Sequence, residues 1–268
     1  MNEPVYFVQI SDTHFGLMPD DSRRGQRPLH NARRVVELIN ALPVRPDFVV
    51  HTGDVAENPQ SSAYKIAAQT FSDLTVPIYY LTGNHDRAKC IRQFLPMGAK
   101  EELAGGEEAL FYRFFVRGVE FLALDGRGPD EIDPHGELPQ NQLDYVRNLE
   151  GQDGPPLVIF QHFPCLSMNA PWYDRNMLLL NGQELHQAYR SIPRLRAVFH
   201  GHVHRPMQTI RDGVMYAAGG SIFTQFFAWP NTQKVIFDLD HPPAYQFVHV
   251  LPEQTIIHQM TFPRPHIK

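Results

Sequence analysis

The sequence predicts an α/β protein, and two observations support this. From Val5 to Leu81, short apolar segments alternate with segments whose apolar residues recur at helical spacing. Strands that alternate with helices form βαβ units, whose strands are parallel. Further along the chain, pairs of apolar segments are separated by turn residues, which is typical of antiparallel hairpins. We therefore expect mixed β-sheet structure flanked by helices.

The first part of the chain follows a regular order of elements. Val5–Ile10, Phe48–His51 and Pro77–Leu81 are short and rich in β-branched or aromatic residues, so they are predicted to be strands. Asn31–Leu42 and Ser61–Leu74 carry apolar residues at helical intervals and are predicted to be helices. Together these five elements form the predicted parallel sheet and its first covering layer.

Strands dominate the rest of the chain. The dipeptides Arg117–Gly118 and Asp212–Gly213 lie between apolar segments and predict hairpin turns. Helices are predicted near Asn141–Leu149 and Gly182–Tyr189. Further strands are predicted at Leu110–Val116, Val119–Leu124, Leu157–Gln161, Arg196–Phe199, Met207–Arg211, Val214–Ala218, Lys234–Leu239 and Tyr245–Leu251. The polar, proline-rich tail Thr261–Lys268 is expected to be loosely held.

A long segment, residues 163–194, separates two core strands and is predicted to form a lid or a substrate-binding segment. Its aromatic pair, Trp172 and Tyr173, either stacks on a nucleobase or packs against the core. The aromatic-rich segment Phe223–Trp229 has three alternatives, namely the wall of a pocket, a dimer interface or the core.

The composition argues against several classes of function. The formal net charge is −5 and the basic residues are spread along the chain, which disfavours a long nucleic acid as partner. We see no signal peptide and no apolar segment near the ~20 residues that cross a bilayer, so we expect a cytoplasmic protein without membrane contact. Cys90 and Cys165 form no metal-type pair and are expected to be free thiols.

Five predicted strands end in residues that bind metals. The groups that follow these strands are Ser11–His14, Gly53–Asp54, Gly83–Asp86, His162 and His200–His204. Functional sites in open α/β sheets collect at the carboxyl ends of the strands, so these groups should converge. In extended backbone, residues two apart such as Asp12 and His14, or His202 and His204, would point to the same side. The glycines of these groups fit tight turns close to an ion.

The candidate ligands favour two metal ions. They number seven, whereas a single zinc site takes three or four ligands: Asp12, His14, Asp54, Asn84, His162, His202 and His204. Carboxylate, imidazole and amide oxygen without thiolate suit Fe, Mn or Zn. Two ions ~3.5–4 Å apart would generate a bridging hydroxide and clamp the oxygens of an in-line displacement at phosphorus.

The order of these motifs resembles that of the calcineurin-like metallophosphoesterases. The motifs are Asp-x-His, Gly-Asp, Gly-Asn-His-Asp, a single His and Gly-His-x-His. The resemblance implies a single domain, 1–268, folded as a four-layer αββα sandwich of two mixed sheets. It also implies that Asp12, His14, Asp54 and His204 hold one metal, and that Asp54, Asn84, His162 and His202 hold the other. Asp54 would bridge the two ions, and His85 would act on the phosphate and leaving group. Asn84, His85 and His202 are the expected contacts to substrate.

Within that superfamily the chain is most similar to the class III cyclic-nucleotide phosphodiesterases. The resemblance rests on Ile10–His14, Gly136–Leu138 followed by Gln142, and the turn His162–Pro164. The chain departs from relatives at Gln161, where many carry His, and at Asn58, where many carry Asp. Relatives commonly dimerise, so the resemblance leaves a homodimer open.

The leading functional hypothesis is a phosphodiesterase acting on a small diester, with a 3′,5′-cyclic nucleotide such as cAMP as the first candidate. The alternatives are a broader phosphatase, a glycerophosphodiesterase, a nucleotide pyrophosphatase or a nuclease. A scaffold without activity is disfavoured because all seven ligands and His85 are present.

Three further residues near the motifs have expected supporting roles. His200 is a candidate second partner for a metal ligand. Asp86 either supports the ligands or caps a helix that starts at Arg87, with the cap slightly favoured. The other histidines are expected to be structural, and His51 is the first candidate for an exception because it closes the strand that leads to Asp54.

Overall fold

Residues 3–264 are described by a computed structural model, and two large sheets form its centre. The first sheet holds β1 (Val5–Ile10), β2 (Phe48–His51), β3 (Ile78–Tyr80), β13 (Ala244–Val250) and β14 (Thr255–Thr261), in the order β14-β13-β1-β2-β3. Strands β1, β2 and β3 are parallel, as the sequence predicts, and β13 and β14 are antiparallel to their neighbours.

The second sheet is also mixed. Its strands are β4 (Glu101–Glu102), β5 (Tyr112–Val116), β6 (Val119–Ala123), β7 (Leu157–Phe160), β8 (Leu195–His200), β9 (Pro206–Arg211) and β10 (Val214–Gly219), in the order β4-β5-β6-β7-β8-β10-β9. Strands β6, β7, β8 and β10 are parallel. The predicted hairpins, β5 with β6 and β9 with β10, are both present.

Helices cover the outer face of each sheet. They are α1 (Pro28–Asn40), α2 (Ser61–Phe71), α3 (Ala88–Phe94), α4 (Gln140–Arg147), α5 (Pro171–Asn176) and α6 (Gly182–Arg190). Buried residues of α1 and α2 belong to one apolar cluster with the first sheet, and those of α4 and α6 belong to a second cluster with the other sheet. The order of layers is therefore helices, sheet, sheet, helices, which confirms the predicted αββα sandwich.

Aromatic side chains fill the space between the sheets. The ring of Phe7 on β1 meets the rings of Phe121, Phe160 and Phe199, which lie on β6, β7 and β8, at centroid distances of 5.8, 5.5 and 5.2 Å. All three contacts are edge-to-face, the arrangement that the charge distribution of aromatic rings favours. This packing fixes one sheet against the other and brings the ends of their strands together.

Several predictions of local structure were wrong. Only β12 (Phe237–Asp238) forms within the predicted strand Lys234–Leu239, where it pairs with β11 (Gln225–Phe226). Strand β14 was not predicted, because it shows no clear periodic pattern, whereas the helix expected to start at Arg87 is present as α3. The prediction that the tail Thr261–Lys268 is loosely held is wrong at Phe262, whose side chain is buried. Residues 265–268 lie outside the described part of the chain.

Two predictions about the chain as a whole are tested over residues 3–264. There, no helix is both long enough and apolar enough to cross a bilayer. Cys90 and Cys165 are both free, as expected. The cytoplasmic location and the homodimer stay predictions.

Candidate metal centre

The polar residues that follow β1, β2, β3, β7 and β8 lie at the same end of the two sheets. Three of these loops leave the first sheet and two leave the second, so the candidate site lies across the junction between them. Backbone hydrogen bonds join the loops: the Asp12 N–H donates to the Gly53 carbonyl at 3.0 Å, and the Gly201 N–H donates to the His162 carbonyl at 3.1 Å. All seven predicted ligands fall in these loops.

The loops turn sharply at the candidate ligands. Positive φ angles occur at five of them, namely Asp12 (54°), His14 (48°), Asp54 (55°), His202 (69°) and His204 (43°). Residues other than glycine seldom adopt this left-handed backbone region, and such strained residues are common at functional sites. The expectation that extended backbone aligns residues two apart is therefore wrong. The side chains converge because the backbone curls around a common point.

Glycine is required where one loop passes another. A Cβ atom on Gly83 would lie 2.1 Å from Oδ1 of Asp54, and one on Gly201 would lie 2.0 Å from Oγ of Ser11. Both distances are far shorter than atoms allow, so any side chain here would push the Asp54 and Asp12 loops out of place.

Two groups of ligand atoms share one carboxylate. In the first group, Nε2 of His14 lies 3.0 Å from Nε2 of His204 and 3.6 Å from Oδ2 of Asp54. Nε2 of His204 also lies 3.2 Å from Oδ1 of Asp12. These four residues bring one ligand atom each to within 4.8 Å of one another.

The second group lies on the other side of Asp54. Nε2 of His162 is 3.5 Å from Oδ2 of Asp54 and 3.1 Å from Nδ1 of His202. Beside them, Oδ1 of Asn84 is buried without any hydrogen-bond partner in residues 3–264. A buried amide oxygen without a partner is costly unless something supplies positive charge to it.

The outer nitrogen of each imidazole fixes which nitrogen faces the centre. Nδ1 of His162 is 2.7 Å from the Thr52 carbonyl, and Nδ1 of His204 is 2.7 Å from the Thr224 carbonyl. Carbonyl oxygens only accept, so these nitrogens carry the hydrogen. By the same reasoning Nε2 of His202 donates to the Pro134 carbonyl at 2.9 Å.

His14 follows the same rule through a carboxylate. Its Nδ1 donates to Oε2 of Glu57 at 2.8 Å. In the neutral state, each of the four imidazoles therefore turns a lone pair toward its neighbour, across only 3.0 to 3.1 Å. Such pairs repel unless positive charge lies among them. Two cations, one for each pair of histidines, fit this donor set.

The electrostatics of the site favour the same conclusion. Burial opposes ionisation of Asp12, yet the charge and hydrogen bond of His204 hold the pKa of Asp12 well below its usual range. Burial disfavours protonated His162, but the charges of Asp54 and Asp12 overcome it and raise the pKa of His162 to about 9. The two buried carboxylates thus demand positive charge between the loops.

His85 stands beside the two groups rather than within them. The backbone N–H of His85 donates to Oδ1 of Asp54 at 3.0 Å, and its ring Nδ1 donates to the Glu57 carbonyl at 2.8 Å. Nε2 of His85 is therefore the nitrogen available to a substrate. Burial lowers the pKa of His85, but the charge of Asp54, together with the hydrogen bond to Glu57 and the charges of Glu57 and Asp86, outweighs burial and raises the pKa. The ring lies against that of His14, with centroids 4.9 Å apart.

Asp86 does not cap the helix that follows it. Helix α3 has Arg87 at its N-cap and no side-chain cap, so the favoured prediction was wrong. The carboxylate instead accepts hydrogen bonds from the backbone N–H groups of Val55, Ala56 and Gly83, and from the hydroxyl of Tyr64. Asp86 thereby ties the Asp54 loop to the Asn84 loop.

His51 joins two ligand loops. Its Nε2 donates to Oγ1 of Thr13 at 2.9 Å, while its Nδ1 accepts from the Gly53 N–H at 3.3 Å. Burial keeps it neutral by lowering its pKa to about 3. His200 was expected to support a ligand, but the hydrogen bond found for its ring within the described chain is to the Gly201 carbonyl at 3.2 Å.

Sequence reasoning missed Glu57 and Arg23. The Glu57 carboxylate accepts from His14 and forms an ion pair with Arg23, and its pKa falls to about 2 because these two partners outweigh burial. Glu57 lies three residues after Asp54, and its spacing gave no signal beyond that proximity.

A pocket of about 190 Å³ opens onto the ligands and is partly aromatic. Trp172 lines it, whereas Tyr173 is buried in a small cluster with Phe226; the two rings touch edge to face, with centroids 5.1 Å apart, and Tyr173 is not among the lining residues. Of the segment Phe223–Trp229, Phe223 and Phe226 line the pocket and Trp229 is exposed.

The fold and the site define a class of protein, and comparison with known proteins agrees. A profile described as calcineurin-like phosphoesterase matches residues 5–206, and the chain belongs to this family. The predicted resemblance is thus confirmed. The chain is a metal-dependent phosphoester hydrolase.

Relatives in this family narrow the comparison. The chain is 28% identical, over 95% of its length and 92% of the relative, to a 3′,5′-cyclic-nucleotide phosphodiesterase of Nostoc sp.. It is 29% identical, over 92% of its length and 85% of the relative, to the 3′,5′-cyclic adenosine monophosphate phosphodiesterase CpdA of Pseudomonas aeruginosa. A dimetal phosphatase from Danio rerio has a similar fold, with a TM-score of 0.63, 14% identity, and 94% and 98% of the two chains covered.

Proposed function

We propose that this protein is a dinuclear metal-dependent phosphodiesterase that hydrolyses a small phosphodiester, a 3′,5′-cyclic nucleotide such as cAMP. The observation that carries the proposal is the arrangement of four imidazole lone pairs in two facing pairs, at 3.0 and 3.1 Å, with Oδ2 of Asp54 between them. One carboxylate shared by two such pairs is the donor set of a two-metal site.

Each ion would be held by residues that the loops already bring together. Asp12, His14, Asp54 and His204 would hold one ion, while Asp54, Asn84, His162 and His202 would hold the other. When bound, two ions of this kind activate water and neutralise charge on the phosphoryl oxygens. The donor set suits Fe, Mn or Zn because it offers imidazole, carboxylate and amide oxygen.

The surrounding residues hold this arrangement and serve the substrate. Glu57 and three backbone carbonyls fix the tautomers of the four histidines. Because Nδ1 of His85 donates to the Glu57 carbonyl, the protonated ring would donate a hydrogen bond or proton from Nε2 to the departing oxygen. Asn84 and His202 would also contact the phosphate from the floor of the pocket.

The substrate class is supported by the relatives and by the pocket. Two relatives that match nearly the whole chain are named as phosphodiesterases of 3′,5′-cyclic nucleotides. The apolar side of the pocket includes Trp172 and Met177, both from the segment 163–194, so we propose that this segment binds the substrate. A flat apolar wall beside a phosphate site suits a nucleoside better than a sugar or glycerol group.

A broader diesterase is the second candidate, since a second cavity adjoins the site. A cavity of about 220 Å³ shares Asn84 and His85 with the pocket and continues toward Arg87 and Arg127. An acyclic diester carries two groups on phosphorus, and this cavity would receive the second one.

A substrate panel tests the proposal. The purified protein should be assayed with 3′,5′-cyclic and 2′,3′-cyclic nucleotides, glycerophosphodiesters, bis(p-nitrophenyl) phosphate and simple monoesters, each with Mn, Fe, Zn or Mg. We expect the highest kcat/KM for a 3′,5′-cyclic nucleotide. Preference for an acyclic diester would favour the second candidate, and preference for a monoester would overturn the diesterase assignment.

A further inference from the structure

The lining of the pocket is polar at the candidate metal ligands and aromatic directly beside them. Phe226 stacks on the candidate ligand His204, with ring centroids 4.3 Å apart and planes at 6°. Phe237 and Trp172 continue the wall away from the centre. A group that extends from the ligands into this pocket therefore meets flat aromatic surfaces, which favours a planar ring.

Arg24 lies on this wall. The Cζ atom of its guanidinium is 3.7 Å from the ring centroid of Phe237, a cation–π distance, and the residue lines the same pocket. Its backbone has a φ of +50°, in the left-handed region that arginine seldom adopts. This φ belongs to the tight turn from Arg23 to Gln26, whose two ends exchange backbone hydrogen bonds at 2.8 and 2.9 Å, and Arg24 projects from that turn.

The guanidinium of Arg24 has no acceptor of its own within residues 3–264. Burial lowers its pKa, and the charge of Glu57 opposes this from a distance without a hydrogen bond. Two other arginines near the pocket are engaged differently: Arg23 pairs with Glu57, and Arg205 donates to Asp238 at 2.7 Å. Arg24 therefore keeps its N–H donors free for a group that enters the pocket.

A second polar group in the same wall also lacks a partner. Oγ1 of Thr224 is buried and forms no hydrogen bond to any residue of the described chain, although the Thr224 carbonyl accepts from His204. Thr224 lines the pocket together with Arg24. A buried hydroxyl without a partner is uncommon in folded proteins.

We infer that this wall is a subsite for a purine ring, in which Arg24, held over the ring of Phe237, donates to the acceptor atoms of the base while Trp172 flanks it. Arginine is the side chain that pairs with N7 and O6 of guanine through two parallel hydrogen bonds, whereas adenine offers it N7 alone. The inference rests on the proposed function and extends it: base recognition comes from Arg24, and guanine gains more from it than adenine.

The test compares three substrates in four proteins. Values of kcat and KM are measured for cGMP, cAMP and the base-free diester bis(p-nitrophenyl) phosphate with the wild type, Arg24→Ala, Arg24→Lys and the control Arg34→Ala. Arg34 lies on α1, is 44% exposed and pairs with Glu37. It does not line the pocket, so Arg34→Ala removes a guanidinium that is not expected to contact the substrate. Metal content and melting temperature are measured for each protein.

We expect Arg24→Ala to lower kcat/KM for cGMP by about 10- to 100-fold, through KM, and to lower it less for cAMP and least for bis(p-nitrophenyl) phosphate. Arg24→Lys should restore little of the loss because lysine cannot form the paired hydrogen bonds. Arg34→Ala should behave as the wild type.

Equal losses for all three substrates, or no change in KM for either nucleotide, would overturn the subsite. A loss accompanied by reduced metal content would also count against it, since that result assigns Arg24 a role in the fold of the site. Wild-type protein that cleaves bis(p-nitrophenyl) phosphate but no cyclic nucleotide would refute the proposed function itself, and the subsite with it.

Discussion

The loops that carry the candidate ligands and the aromatic wall beside them are held in different ways. The loops are buried, strained at five ligands and tied to one another through Asp86 and His51. The segment from Phe223 to Leu239, which supplies Phe226 and Phe237 to the wall, has two strands of two residues each, and several of its apolar side chains are exposed. We therefore propose that the buried loops determine the reaction and that the less constrained wall determines the choice of substrate.

Replacing Asp54 tests the rigid centre most severely. Because its carboxylate lies between both groups of ligands, Asp54→Ala should lose metal and reduce turnover to the level of the buffer. Elemental analysis and hydrolysis of bis(p-nitrophenyl) phosphate measure the two effects. The matched control is Asp144→Ala, on the exposed side of α4. Two ions per chain in Asp54→Ala would refute its shared role.

The second prediction separates chemistry from metal binding. His85→Ala should lower kcat by ~10²- to 10⁴-fold, the usual contribution of a general acid, and should leave metal content near that of the wild type. His258→Ala, at an exposed position of β14, is the control. Full activity of His85→Ala would remove His85 from the reaction.

The third prediction concerns support of the centre from outside. Glu57→Ala frees Nδ1 of His14, and we expect metal affinity or activity to fall by about 10- to 100-fold. Glu57→Gln keeps an acceptor oxygen for His14 and should recover part of the loss. Metal titration followed by fluorescence or calorimetry gives the affinity. If both variants have the metal affinity and activity of the wild type, Glu57 does not position His14.

The smallest effect is expected on the wall. Trp172→Ala should raise KM for a cyclic nucleotide by up to about tenfold, because an aromatic contact contributes about 0.5–1.5 kcal/mol, while kcat and metal content stay close to the wild-type values. Trp229→Ala, an exposed tryptophan outside the pocket, serves as the control. A fall in kcat without a change in KM would place Trp172 in the catalytic centre and blur the contrast between wall and loops.

The sequence predicted the centre better than the wall for a physical reason. Ligand residues must follow strand ends that meet at one edge, so their order along the chain carries the information. The parallel strands and the convergence of the loops could be predicted in this way, whereas the division into two sheets followed from the family resemblance. The left-handed turns at Asp12 and Asp54 could not, because side-chain type alone does not reveal backbone strain.

Partners that are backbone atoms were also beyond prediction. The carbonyls of Thr52, Pro134 and Thr224 fix three histidine tautomers, yet a carbonyl is the same in every residue and leaves no trace in the sequence. The aromatic wall could not be predicted from the sequence for a related reason. Phe226 and Tyr173 are close in space but far apart in the chain, and no periodic pattern connects them.

Counting metals per chain tests the central claim most directly. The wild-type protein, stripped of metal and then titrated with Mn²⁺, should bind two ions per chain, and phosphodiester hydrolysis should rise with occupancy of the second. Saturation at a single ion with full activity would contradict the two-metal centre. It would also leave one of the two facing histidine pairs, His14 with His204 or His162 with His202, without the cation that its geometry requires.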